Sequence, residues 1–138
     1  MRSLIINFTE NSGKLLGRFN ASLNNNKAAS AVWDQLPIAY RACFWGQSLW
    51  IQLPIICERS LEESTLEVEQ GSIAYWYPGK QIHIYFGPTL VSTDHRPMPP
   101  GPVTIIGSLT EDTESFRRLM KSVPWKSTYI QMDKTISI

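Results

Sequence analysis

GSIAYWYPGKQIHIYFGPT, residues 71–89, is the stretch whose reading decides the fold. Its two runs, SIAYWY at 72–77 and IHIYF at 82–86, are made of aromatic and β-branched residues, the types that fit a pleated, half-buried surface. Between them stands Pro78-Gly79, where proline presets φ for one central turn position and glycine supplies a positive φ at the next. The stretch therefore predicts a β-hairpin. Strand alternation divides its side chains: Ile82, Ile84 and Phe86 share one face, and His83 and Tyr85 share the other. Trp76 likewise lies opposite Tyr75 and Tyr77, so one of these faces is outside the core.

Strand signals continue on both sides. Residues 3–8 (SLIINF) and 14–20 (KLLGRFN) flank the turn formers Glu10-Asn11-Ser12-Gly13, a second hairpin signal. Asn24 to Asn26 offer N-cap side chains, and Ala28, Val32 and Leu36 follow at helical spacing until Pro37 stops the helix. From Ile38 the period is two, with Ile38, Tyr40, Ala42 and Phe44 on one face and Ala39, Arg41, Cys43 and Trp45 on the other. SLWIQLPI is a further strand, broken by Pro54. Residues 57–70 carry five of the twelve acids and read as an exposed loop or edge element whose Leu61, Leu66 and Val68 cover the barrel.

Further on, 92–102 (STDHRPMPPGP) holds four prolines and reads as a surface loop, and VTIIGSL after it as a strand. A helix is expected near 112–121, with acids first, Arg117, Arg118 and Lys121 last, and Phe116, Leu119 and Met120 inward. A last strand at about 127–133 completes the order. Some eight short strands with one helix after the second and one before the last predict a mainly β fold: a closed antiparallel barrel with two capping helices. The length suits a single domain, residues 1–138.

Composition narrows the partners. Thirteen basic against twelve acidic residues, without a basic cluster, argue against nucleic acid. No apolar segment has the length of a membrane span or of a signal-peptide core, so no membrane partner and a cytoplasmic location are expected. In that setting Cys43 and Cys57 read as two reduced, buried thiols.

Residues 71–89, together with LNNNKAASAVWDQLPI (23–38), FWGQSLWIQLP (44–54) and PVTIIGSL (102–109), resemble the cyclophilin-like family of small bacterial and archaeal proteins of unassigned function. The resemblance implies the cyclophilin-type eight-stranded barrel with two capping helices. The family's Phe-Gly-Pro-Thr-Pro pattern is broken here by Leu90. Prolyl isomerase activity is not implied. Cyclophilins lower a barrier of about 18–20 kcal/mol by aiming an arginine at the prolyl nitrogen, in a Phe-His-Arg-Val stretch that this chain lacks. Arg41 is the one stand-in, and it reads first as an exposed strand arginine with its stem on Trp45.

Other chemistries find little. His83 reads as a hydrogen-bonded strand histidine, and Asp94-His95 as a loop pair whose carboxylate could orient an imidazole, although chain neighbours seldom face each other productively. The cysteines and histidines have no metal-ligand spacing, and no phosphate-cradling glycine loop occurs, so neither a metal nor a cofactor is expected. What remains is the aromatic set Trp45, Trp50, Tyr75, Trp76, Tyr77, Tyr85 and Phe86. Part of it is core. The rest either packs beneath the 57–70 or 92–102 loops or lines a groove, for which Trp45, Trp76, Tyr85 and Phe86 are the candidate ligand-binding residues. The first expectation is a non-enzymatic module binding a peptide or small molecule. The alternatives are a divergent peptidyl-prolyl isomerase using Arg41, and an accessory protein whose aromatic strip forms a homodimer.

Overall fold

The computed structural model describes residues 2–53 and 63–135. Its elements follow the expected order. β1 (Arg2–Glu10) and β2 (Leu15–Leu23) form the first hairpin, α1 (Lys27–Gln35) follows, and then come β3 (Ile38–Arg41), β4 (Cys43–Phe44) and β5 (Ser48–Gln52). Beyond these lie β6 (Ser64–Thr65), β7 (Ser72–Trp76), β8 (Gln81–Tyr85), β9 (Val103–Leu109), α2 (Thr113–Ser122) and β10 (Thr128–Lys134). All described pairings are antiparallel, in the spatial order β3-β10-β1-β2-β9-β7-β8-β5-β4, with β6 added to β9.

The two ends of that order, β3 and β4, are consecutive pieces of one segment. Ala42 between them is buried and donates its N–H to Thr128 O at 3.0 Å. The first half of the segment pairs with β10 and the second with β5, so a single bent strand closes the sheet into a nearly complete barrel. This is why the strand expected across residues 38–45 is two. It also breaks the expected facing: Ile38 and Ala42 are buried, but Tyr40 is 37% exposed.

The interior is filled by one face of each long strand. Leu4, Ile6 and Phe8 from β1, Ile73 and Tyr75 from β7, Ile82 and Ile84 from β8, and Ile130 and Met132 from β10 belong to one buried cluster. The helices close its ends. Asn26 caps α1 by accepting Ala29 N–H at 2.9 Å, and the helix buries Ala28, Ala29 and Val32. Asp112 caps α2, whose Phe116 ring sits 4.9 Å from Phe19 and 5.6 Å from both Phe8 and Phe86, edge-on to each. Edge-to-face geometry of this kind adds to the area burial of a large ring.

Gly107 marks a close approach that the topology requires. A bulge between Ile73 and Ala74 leaves Gly107 opposite both Ile73 and Leu23, and a Cβ there would stand 2.1 Å from Ser22 O. Only the missing side chain lets β2 and β9 pair at this point.

Two expectations about the covering loops change. Leu66 is 60% exposed and covers nothing, whereas Val68 is buried on the barrel's outer face; Leu61, like Pro54 and Cys57, lies outside the described residues. Cys43 is a free thiol, but half-buried on β4 rather than in the core. No described helix is long and apolar enough to cross a membrane.

Truncating the ring that three phenylalanines surround leaves a cavity that the barrel cannot collapse around. Phe116→Ala is expected to lower the unfolding free energy by about 3–5 kcal/mol, measured by denaturant titration. A loss below about 1 kcal/mol would show that α2 is not a structural plug.

Candidate functional site

β8 supplies both faces of the sheet. Ile82, Ile84 and Phe86 enter the barrel, so His83 and Tyr85 point outward, where water does not reach them. Tyr85 joins Val68, Ala74 and Val103 in a second, smaller apolar cluster on the outer face, with Trp76 and Ile105 packed against it. Two of the four expected groove residues are thereby relocated. Phe86 is 3% exposed, belongs to the interior cluster and packs its ring on Phe116. Tyr85 is wholly covered, because the other loop reading, packing beneath the covering segments, applies to it.

The remaining two do meet. Trp45 and Trp76, with Trp50, Gln81, His83 and Pro100, line an outer-face depression of about 230 Å³. The register explains the meeting: Cys43, Trp50, His83 and Ala74 stand in one row across β4, β5, β8 and β7, and Trp76 pairs with Gln81 two residues along, in the next row of the same face. Trp45 is fixed from its backbone, donating N–H to Ser48 O at 2.9 Å while Ser48 Oγ donates to Trp45 O at 2.6 Å.

Trp76 depends on the turn beside it. The structure places Tyr77–Gly79 in a 3-10 turn and gives the left-handed position to Lys80, φ 50°, instead of to Gly79 as the dipeptide suggests. Gly79 is needed for space: a Cβ there would lie 2.6 Å from Trp76 Cε3 and 3.0 Å from Gln81 Cδ. The indole and the amide therefore both pack over the bare glycine.

His83 forms the floor. It is 2% exposed, edge-on to Trp76 at 6.1 Å and stacked on Tyr85 at 5.8 Å. Its Nε2 lies 2.9 Å from Gln81 Oε1, while its Nδ1 and the Tyr85 hydroxyl have no hydrogen-bond partner among the described residues. Burial without a compensating charge lowers the imidazole pKa to about 4 and pushes the Tyr85 phenol up. The floor is therefore neutral at physiological pH.

Arg41 is elsewhere. It is exposed on β3, in register with Tyr129 of β10, and the lining holds no arginine. Asp94 does not orient His95; its carboxylate pairs with Arg96 at 3.0 Å on the exposed loop, and that guanidinium holds the carboxyl below its usual range. Trp50, Gln81, His83 and Pro100 are the lining residues that sequence reasoning did not single out as a site. Counting the register outward from Pro78-Gly79 would have placed Gln81 beside Trp76; Pro100 carries no such signal.

A sequence model described as cyclophilin-like matches residues 9–125 of this chain. The chain is similar in structure to a hypothetical protein of Archaeoglobus fulgidus known from a solution structure: TM-score 0.69, 24% identity, covering 96% of this chain and 95% of that one. No curated protein matches. The structural likeness concerns the fold.

The neutral floor has a measurable cost in acid. In the unfolded chain His83 takes up its proton near pH 6.5 and in the folded chain only near pH 4. The unfolded state thus binds more protons between these values, and stability is lost as pH falls through that window. The expected loss from this group is on the order of 3 kcal/mol between pH 7 and pH 4, read from denaturation midpoints. His83→Phe should remove that part of the slope; an unchanged slope would mean that the histidine titrates freely.

Proposed function

Since the chain belongs to the cyclophilin-like family, we propose that its barrel is a binding module whose outer-face cavity takes one apolar ring, from a peptide side chain or a small molecule. The observation that carries this reading is the convergence of Trp45, Trp50 and Trp76 with Pro100 over a buried, neutral imidazole. Ligand sites are concave and mostly apolar, with few placed polar groups. A volume of about 230 Å³ suits one ring, since an apolar cavity of about 150 Å³ already accepts benzene. Three half-buried indoles also leave a large apolar area for a ligand to cover.

The same lining supports binding over catalysis of bond rotation. Polarising a prolyl nitrogen takes a cation beside the bound ring, and neither Arg41 nor another arginine lines this cavity. The lining also lacks a hydroxyl or thiol nucleophile for acyl or phosphoryl chemistry.

The test is a titration of the whole chain with single-ring fragments and with tripeptides centred on an aromatic residue or proline, followed through the indole N–H resonances. Saturable shifts at Trp45, Trp50 and Trp76 are expected. Gly79→Ala, which drives a methyl into the Trp76 ring and the Gln81 amide, should weaken binding about tenfold or more, with a stability loss of about 1–3 kcal/mol. Saturable binding that leaves these three indoles unmoved, or no binding by any probe, would overturn the reading.

A further inference from the structure

Indole Nε1–H donates and cannot accept, and three of the six lining side chains are indoles. Gln81 has both a donor and an acceptor end, so its orientation decides what the wall presents. That orientation is set one residue further in.

His83 Nε2 and Gln81 Oε1 lie 2.9 Å apart, and His83 Nδ1 is buried with no partner among the described residues. Two arrangements are chemically distinct. With the proton on Nε2, the imidazole donates to Oε1, Nδ1 keeps a bare lone pair, and the amide NH2 is left at the cavity. With the proton on Nδ1, the amide turns over to donate to Nε2, and a buried N–H faces apolar surroundings unpaired. Orphaned buried N–H groups are rarer than under-satisfied acceptors. The first arrangement is the one the geometry favours, because the hydrogen bond at one ring nitrogen fixes the tautomer at the other. Gly79 holds the amide there, since its bare backbone is where the Gln81 Cδ packs.

We infer that the cavity selects a neutral ring bearing a hydrogen-bond acceptor at its edge, with Gln81 as the specificity-determining residue and His83 as the residue that positions it. This rests on the binding role proposed above and names the ligand class for that site. With Gln81 Oε1 engaged by the imidazole, the lining side chains have indole and amide N–H groups left to donate, so an acceptor-bearing ring finds a partner at Gln81 and a donor-bearing ring does not. A charged ligand has no carboxylate or ammonium in the lining to meet it.

Four small probes separate the possibilities at pH 7.5: pyridine (acceptor), pyrrole (donor), toluene (neither) and tetramethylammonium (cation). Titrations are followed at the tryptophan indoles and the Gln81 side-chain amide. Pyridine should bind about fivefold more tightly than pyrrole or toluene, the size of one net uncharged hydrogen bond, and should shift the Gln81 amide. Gln81→Leu and His83→Phe should each bring the three rings to equal affinity while the indoles still respond.

Equal affinities in the wild-type protein, or a preference for pyrrole or tetramethylammonium, would overturn this inference and leave the binding role standing. Indoles unmoved by every probe and by every peptide would overturn both. One measurement needs no variant or ligand: imidazole 15N shifts of the wild-type protein should show His83 protonated at Nε2 only. An Nδ1–H tautomer would overturn the positioning role.

Discussion

The period of two along β8 is the constraint on which the rest depends. The barrel interior claims Ile82, Ile84 and Phe86, and Phe86 is held twice, by its ring against Phe116 and by its carbonyl, which accepts from Arg117 Nε at 2.9 Å. A slip of one residue would exchange every one of these side chains with His83 and Tyr85. With the register locked, an imidazole and a phenol must lie on the outer surface. The protein covers them with Val68, Val103 and Trp76 and so builds a second small core. The cavity is the place where that cover stops.

Polar groups in such a thin second core are expensive to leave unpaired. Apart from Tyr85, the largest fully buried side chains are aliphatic or phenylalanine. On the outer face, His83 keeps one hydrogen bond and the Tyr85 hydroxyl none among the described residues. Arg117 is paired differently: its guanidinium reaches Phe86 O, Glu114 and Gln70 together. Arg117 is thus paired several times over, while the buried His83 keeps a single partner.

Much of this was legible in the residues. Helix and strand order followed from caps, breakers and period: Asn26 does cap its helix, while Asp112, expected in the first turn of the second, stands one place earlier as its cap. The family-like run at 71–89 fell within a match that spans residues 9–125. The candidate site was half legible. Trp45 and Trp76 line the cavity, since aromatic strand residues opposite a buried face must lie outside it. Phe86 was misplaced because it was grouped by its aromatic ring, although its own alternation put it with Ile82 and Ile84. Tyr85 and Val68 depended on which loop covers which strand, and loop cover leaves no period in a sequence. Gly79 was read for its φ, when what mattered was the ring above it.

The bent β3–β4 segment has a consequence of its own. A barrel made of one continuous ribbon has a clasp, and here the clasp is the two-residue β4, held to β5 through Cys43↔Trp50 and Phe44↔Leu49. Short ladders open at the least cost, so the ribbon should unfasten there before it parts elsewhere. Trp50 lies within that clasp and Trp45 one residue beyond it, both lining the cavity. Any molecule wedged between them is a pin through the clasp. Occupancy would then be felt around the whole ring as resistance to opening, and solvent exchange of amides in β3, which contributes nothing to the cavity lining, would register a ligand that never touches it.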